Sequence, residues 1–320
     1  MNILITGCAG FIGFSLVREL IKNKKYKIIG IDNLNNISGD LKLKTKRLDL
    51  IKKKIKFYNI NLEDNKSLEK LFKKYKFHSI VHLAAQPGVR LSITKPNIYF
   101  DSNIRGYFNI LNLSRINKVQ HTMYASSSSV YGNQKKFPIK ETNDTNNQIS
   151  FYGLSKKMGE MMSSYYSKTY SMKITSLRFF TVYGPFGRPD MAMFKFTELI
   201  NKNKKIDIYN NGNHIRDFTY ISNIVNPLIK ILTKKRKKLY EVYNLASSKP
   251  ERLKKYINEL EKSFGKKAKK NYIKLQIGDV LKTAASTKKL DSFTGKLEKI
   301  NISKGISTFV NWYKKFINEK

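Results

Sequence analysis

Apolar residues in the first half of the chain gather in short runs, and each run is followed by a stretch in which they recur every three or four positions. Parallel strands buried on both faces read as continuous apolar runs, and the crossover helices that cover them bury a single stripe. The alternation therefore predicts an α/β fold with a doubly wound parallel sheet. MNILITG opens as a buried strand, and FIGFSLVRELIKN continues as a helix with Phe11, Leu16, Val17 and Leu20 on one side. KIIGIDN (27–33) is a second strand ending in an acid, IKFYNINL (55–62) a third, DNKSLEKLFKKY a helix and SIVHLAA (79–85) a fourth strand. A long helix is expected over 97–117, a strand running into a Ser-rich turn over 120–132, a helix from 152 to about 169 and a sixth strand over 172–184. Beyond Gly184 strand-like and helical pieces mix with turns such as YNNGNH (209–214), which predicts a smaller mixed α/β lobe. The expected division is 1–178 for the sheet domain and 179–320 mainly for the lobe, with a segment near 216–247 returning to the first domain.

Composition narrows the class. At 320 residues, 41% hydrophobic and 12% aromatic, the chain can bury a full core, and a disordered protein is excluded. Its single cysteine, Cys8, excludes an internal disulfide and a cysteine metal cluster, and four scattered histidines form no ligand pattern; no metal is expected. The amino terminus lacks a basic region before its apolar run and is interrupted by glycines, so it reads as strand and turn rather than a signal peptide. No apolar stretch approaches the ~18 residues of a membrane span, which makes the cytoplasm the expected location. The net charge of +39 raises the prospect of nucleic-acid or membrane binding. Against it, the positive residues are overwhelmingly Lys, spread through runs such as KNKKYK (22–27) and KKRKK (234–238), whereas phosphate and base recognition favours the Arg fork. No specific nucleic-acid partner is expected, although the field would attract anionic ligands.

Candidate chemistry begins at TGCAGFIG, where Gly7, Gly10 and Gly13 lie between a strand and a helix that includes Phe11 and Ile12. Such a turn lets the backbone approach a pyrophosphate and points helix N–H groups at negative charge. Asp32 ends the second strand at the fingerprint distance, where it would accept hydrogen bonds from ribose hydroxyls and repel a 2′-phosphate. The cofactor predicted is NAD rather than NADP, on a Rossmann-type sheet. A Gly-rich turn that only packs helix on strand is the alternative reading. Ser126 to Ser129 end the fifth strand, and Tyr152 with Lys156 opens the following helix. A phenol's ordinary pKa is about 10, so ionising it near neutral pH costs roughly 4 kcal/mol. Lys156, one turn on, and a bound nicotinamide are the sources of that stabilisation.

Beside a dinucleotide site, Ser, Tyr and Lys in this order resemble the short-chain dehydrogenase/reductase superfamily. HLAAQPGVRLS (82–92), YASSSSVYG (124–132), LRFFTVYGPFGRPDMAMFKF (177–196), IYNNGNHIRDFTYI (208–221) and LQIGDVLKT (275–283) are similar to its extended branch of nucleotide-sugar epimerases, and within it to the UDP-glucuronate 4-epimerases. The resemblance implies an NAD-dependent isomerase of polysaccharide biosynthesis that takes UDP-glucuronate to UDP-galacturonate through a 4-keto sugar. It implies Tyr152 as the base at the sugar 4-hydroxyl, Ser127 as a hydrogen-bonding partner of the same oxygen, and Lys156 as the residue holding the nicotinamide ribose. It adds Asn61, Leu62 and Ala84 to the cofactor side. On the substrate side it implies Arg216 at the diphosphate, Ser128, Ser129 and Thr181 around the sugar carboxylate and the rotating ring, Arg90 and Arg188 in loops that contact the nucleotide or gate the pocket, and Asp279 at the nucleotide ribose. It also implies a homodimer through the helices at 97–117 and 152–169, displaying Tyr107, Phe108, Met161 and Tyr165.

Departures from the family pattern are Asn61 where an acid is common, Leu91 for a tyrosine, Ile277 for a proline, and Ala285 and Ser286 in a Tyr-Ala-Asp stretch. They bear on sugar and nucleotide preference. A dehydratase needs an acid and a base before the VYG tripeptide, and a decarboxylase relative carries Glu there; Ser128 and Ser129 fill those places. An epimerase for a neutral UDP-hexose and a catalytically silent NAD-binding regulator are the remaining alternatives, and the intact Ser127, Tyr152 and Lys156 speak against silence.

Overall fold

The computed structural model describes residues 1–37, 41–275 and 280–318. The first half runs β1 (Asn2–Thr6), α1 (Phe11–Leu20), β2 (Lys27–Asp32), α2 (Leu41–Asp49), β3 (Lys56–Asn59), α3 (Asn65–Lys74), β4 (Ser79–His82), α4 (Val89–Thr94), α5 (Pro96–Tyr99), α6 (Gly106–Ile116), β5 (His121–Ser127), α7 (Phe151–Tyr170) and β6 (Ile174–Phe179). The second continues with β7 (Thr181–Tyr183), α8 (Ala192–Asn201), β8 (Lys205–Tyr209), β9 (Ile215–Arg216), β10 (Phe218–Tyr220), α9 (Ser222–Thr233), β11 (Tyr240–Leu245), β12 (Glu251–Arg252), α10 (Leu253–Phe264), β13 (Lys269–Ile273), α11 (Lys288–Thr294) and α12 (Ile302–Asn318).

Seven strands form one sheet in the order β11-β6-β5-β4-β1-β2-β3, every pair parallel. Period-two alternation explains why it is covered twice. Ile3 and Ile5 of β1 face one core with Phe14, Leu177 and Leu228, while Leu4 between them faces a second core with Leu71, Tyr107 and Ile110. Full burial of a side chain such as Phe14, edge-on to Phe186 at 4.9 Å, stabilises by about 2–3 kcal/mol. The first core continues without interruption into the second half, through Tyr183, Phe194, Phe309 and Tyr313. β11 lies within the segment 216–247 and pairs with β6 as the sheet's edge strand. The strand order reverses between β1 and β4, and there the carboxyl ends of the strands open the crevice in which such sheets take ligands.

Several elements differ from the sequence reading. The strand expected over 172–184 breaks at Phe180: β6 stays in the main sheet, while β7 pairs with β10 in a separate two-stranded sheet. The strand expected over 79–85 ends at His82, because the Thr6 hydroxyl accepts from the amides of Leu83 and Ala84 and takes over from the ladder. The helix expected over 97–117 begins at Pro96 and contains a π-helical turn over Phe100–Arg105. π-turns of this kind are frequent at functional sites. Tyr107 is also corrected. It is fully buried in its own domain, whereas Phe108, Met161 and Tyr165 are exposed.

Candidate active site

Glycine is required twice at the turn after β1. Gly7 has φ of +71°, and a Cβ on it would lie 2.7 Å from the Ala84 nitrogen; a Cβ on Gly13 would collide with the Gly7 carbonyl. The chain therefore folds back tightly, and the amino end of α1, with Phe11 and Ile12, opens without a side-chain cap. The first N–H groups of a helix have no partner within it, so this end presents donors and a positive partial charge. Asp32 stands beside it at the end of β2, accepting from Ala9 N at 3.1 Å and Leu34 N at 3.0 Å. A carboxylate offers about four acceptor sites, which leaves capacity for two ribose hydroxyls. A cradle closed to any Cβ, uncapped helix donors and a terminal acid are together what a dinucleotide needs, and the residues present fit NAD. Asn61 sits beyond β3, accepting from Asn33 Nδ2 at 2.7 Å. Leu62 faces the second core against Gly106, and its carbonyl accepts from Asn109.

Arg47 was not legible as part of this site. It is fully buried, and its guanidinium donates to the carbonyls of Ala9, Phe186 and Gly187 at 2.7 to 3.3 Å. Those bonds tie the Gly-rich turn to the loop after β7 and fix one wall of the crevice against the other.

Ser127 and Tyr152 meet on the far side of the crevice, with Lys156 one turn along the helix from Tyr152. Ser127 ends β5, caps the 3₁₀ turn Ser128–Tyr131 and accepts from Ser129 N at 3.1 Å, while its hydroxyl donates to Ser129 Oγ at 3.1 Å. α7 starts where Ser150 accepts from Gly153 N, and Gly153 allows the helix to abut the Ser129 carbonyl. Tyr152 and Lys156 are one turn apart on it. Burial pushes the Tyr152 phenol above its ordinary pKa, against the pull of the Ser127 hydrogen bond and the Arg188 charge. Burial also pushes the Lys156 ammonium down, to about 7. Its Nζ donates to the Ala125 carbonyl at 2.9 Å.

A buried ion pair sits behind this triad. Glu160, one turn beyond Lys156, takes both Nε and a terminal nitrogen of Arg178 at 2.8 Å and the Ser126 hydroxyl at 2.6 Å. It welds α7 to β6 and to the residue beside Ser127. Asn103, in the π turn, bonds both the amide and the carbonyl of Gln86 and donates to Ser155 Oγ, and Tyr99 sets its ring edge-on to Tyr152 at 6.1 Å. These were missed. The available signals were an acid at i+8 on the Tyr152 face and the i, i+4 pair Tyr99 and Asn103 on one face of its helix.

The substrate-side candidates are distributed around the same opening. Ser128 and Ser129, in the 3₁₀ turn after β5, and Thr181, which opens β7, are part-buried. Arg188 chelates Asp190 and lies close enough to act on Tyr152. Arg90 places its guanidinium 5.2 Å from the Tyr209 ring centre, joining α4 to the end of β8. Arg216 lies on β9, paired with Glu251, and donates to the carbonyl of Leu281 at 3.0 Å. Its neighbour Asp217 is fully buried and accepts from Ser247, Ser248, Thr219 and Ala285, knotting the RDF turn to the end of β11. Asp279 lies outside the described residues. Among the described residues no group of His, Cys, Asp and Glu could hold a metal, and no helix is long and apolar enough to cross a membrane.

Comparison with known proteins adds to this geometry. The UDP-glucuronate 4-epimerase of Thermodesulfobacterium geofontis is 39% identical, over 98% of this chain and 96% of its own. A crystal structure of UDP-glucuronic acid 4-epimerase from Bacillus cereus, in complex with UDP-glucuronic acid and NAD, is 31% identical and superposes with a TM-score of 0.93 over 99% of this chain and 100% of that one. A UDP-glucose 4-epimerase from Thermotoga maritima, with UDP-glucose, is 29% identical and reaches 0.90 over 99% of this chain and 100% of that one. The NAD dependent epimerase/dehydratase family matches over residues 3–246, and the chain belongs to that family.

Proposed function

We propose that the protein is an NAD-dependent nucleotide-sugar 4-epimerase whose substrate pair is UDP-glucuronate and UDP-galacturonate. The observation that carries this reading is the Ser127, Tyr152 and Lys156 set across the crevice from the Gly-rich turn, with Ser128 and Ser129 where eliminating relatives need acids. Gly7, Gly10, Gly13, the amino end of α1 and Asp32 hold the dinucleotide, with Asn61 and Leu62 on its adenine side. Bound there, oxidised NAD supplies a hydride acceptor for C4 of the sugar, a hydride to return to the opposite face, and a positive charge beside the phenol. Tyr152 removes the proton from the 4-hydroxyl and returns it to the epimer, and Ser127 hydrogen-bonds the same oxygen. Residues 1–178, with the strand and helix of 216–247, serve as the cofactor-binding unit, and the remainder covers the sugar and nucleotide.

The acidic sugar follows from solvation. A carboxylate entering a closed pocket must exchange its water shell for fixed donors, because an unpaired buried charge costs several kcal/mol. Ser128, Ser129 and Thr181 offer short hydroxyl donors to it in both ring orientations, Arg216 meets the diphosphate, and Arg90 and Arg188 line the nucleotide side. Firm donors also oppose loss of CO₂ from a 4-keto uronate, which is a β-keto acid. The experiment is incubation with UDP-glucuronate, UDP-glucose and UDP-N-acetylglucosamine, separation of epimers by NMR, and assay of the dinucleotide released on denaturation. UDP-galacturonate as main product with bound NAD is expected. Preference for a neutral sugar or formation of a pentose overturns the substrate assignment, and NADP in place of NAD overturns the Asp32 assignment.

A homodimer through α6 and α7 is part of the reading. Phe108, Ile116, Met161 and Tyr165 are between 46% and 60% exposed on these two helices, apolar and aromatic side chains that a second copy would cover. Light scattering at micromolar concentration is expected to give twice the chain mass, and Met161→Glu with Tyr165→Lys is expected to give the monomer.

A further inference from the structure

Lys156 presents a physical difficulty that its hydrogen bond does not resolve. Its ammonium is fully enclosed and pushed down to about 7 by burial alone, with no carboxylate among the groups acting on it. A lysine half-neutral near pH 7 cannot hold a neighbouring phenol in its ionised form. Beneath it lies a column of rings. Lys156 Nζ is 5.2 Å from the ring centre of Tyr124; Tyr124 stacks on Tyr107 at 4.1 Å and 21°, and Tyr107 on His82 at 4.9 Å and 24°. All three rings are 0–1% exposed.

We infer that Tyr124 is a positioning residue for the reaction: the face of its ring carries the Lys156 ammonium and keeps it charged and fixed beside Ser127 and Tyr152. Each ring of the column is held by a hydrogen bond. His82 Nδ1 bonds the Thr6 hydroxyl at 3.0 Å, the Tyr107 hydroxyl bonds Ser163 Oγ at 2.7 Å, and the Tyr124 hydroxyl reaches the Lys156 carbonyl at 3.4 Å. Gly159 completes the seat, since a Cβ there would collide with the Tyr124 ring. A desolvated cation over an aromatic face is stabilised more than an exposed one. The other titratable groups around the pair are His82 of β4, kept neutral by burial and by the Lys156 charge itself, and Tyr152 and Glu160 of α7 and Tyr240 of β11, which act on Tyr124 rather than on the ammonium. The ring raises the Lys156 pKa, and removing it moves the loss of the lysine's proton to lower pH.

The inference rests on the reading of Tyr152 and Lys156 as the acid–base pair. The experiment compares Tyr124→Leu with Tyr124→Phe in the NAD-bound protein, following the pH profile of kcat/KM with UDP-glucuronate and, independently of turnover, the titration of the ¹³C-lysine resonance that disappears in Lys156→Met. In Tyr124→Leu the alkaline limb and the lysine titration should both fall by about one pH unit, with about tenfold loss of rate above neutrality. Tyr124→Phe, which keeps the ring, should restore both to near the parent values. If Tyr124→Leu does not fold, Gly159→Ala reads the same contact by displacing the ring, with a shift in the same direction. An unmoved alkaline limb and lysine titration in a folded variant of either kind would overturn the inference. Full turnover in Tyr152→Phe would instead sink the reading beneath it.

Discussion

Tyr152→Phe is expected to lose 10²–10⁴-fold in turnover of UDP-glucuronate while keeping the fold and the bound NAD, the range typical of a positioned acid–base group. The phenol is the only group whose hydroxyl is lost, and its ring still packs against Tyr99. Its pKa stands above the ordinary value in the protein because burial outweighs the Ser127 hydrogen bond and the Arg188 charge. Base catalysis near neutral pH therefore depends on positive charge gathered beside it, from Lys156 and from the bound cofactor. The acid limb of the rate profile should rise with ionisation of the phenol and disappear in the Phe variant. Turnover within a few-fold of the parent enzyme, measured with NAD content matched, would contradict the mechanism.

Glu160→Met is expected to destabilise the protein by about 3–5 kcal/mol, the loss that follows when one member of a buried ion pair is removed and the other charge stays behind. Arg178 and Glu160 are 5% and 4% exposed, so bulk solvent would compensate a stranded guanidinium poorly. Burial opposes the Arg178 charge and Glu160 more than offsets it; with Glu160 gone the charge still stays behind, because a guanidinium does not lose its proton in a protein. The decisive comparison is the double variant Glu160→Met with Arg178→Met. Replacing both charges by apolar groups of similar length should recover most of the lost stability in a urea titration. Equal stability of the single and double variants would show that the pair's packing, not its charge, does the stabilising. Because Glu160 also holds Ser126, the single variant should lose turnover as well, through Ser127.

How much of this molecule was written in its sequence can be judged from particular residues. The sheet, its helices and the Gly-rich turn followed from local rules: apolar runs, helical spacing, and glycines between a strand and a helix. Tyr152, Lys156 and Ser127 were readable because each lies within a motif whose chemistry needs that residue type at that spacing. Local patterning overran its limits at element ends. Thr6 ends β4 from a strand 73 or more residues earlier, and Phe180 marks where β6 and β7 part because β10 is waiting to pair. Tyr107 read as a surface aromatic on an amphipathic helix, and only the stack on Tyr124 showed it to be core.

The sequence by itself thus determined the fold class, the glycine turn after β1 and the spacing that sets Tyr152 and Lys156 one turn apart on α7, since those are properties of short segments whose geometry is set by backbone and spacing. Tertiary structure alone decided what surrounds them. Arg47 joining two loops, Glu160 meeting Arg178, Asp217 gathering five donors, and the column of His82, Tyr107 and Tyr124 under Lys156 all bring together residues from distant parts of the chain. No local spacing encodes such meetings, because burial and mutual desolvation, which make each contact strong, exist only once the strands have found their order.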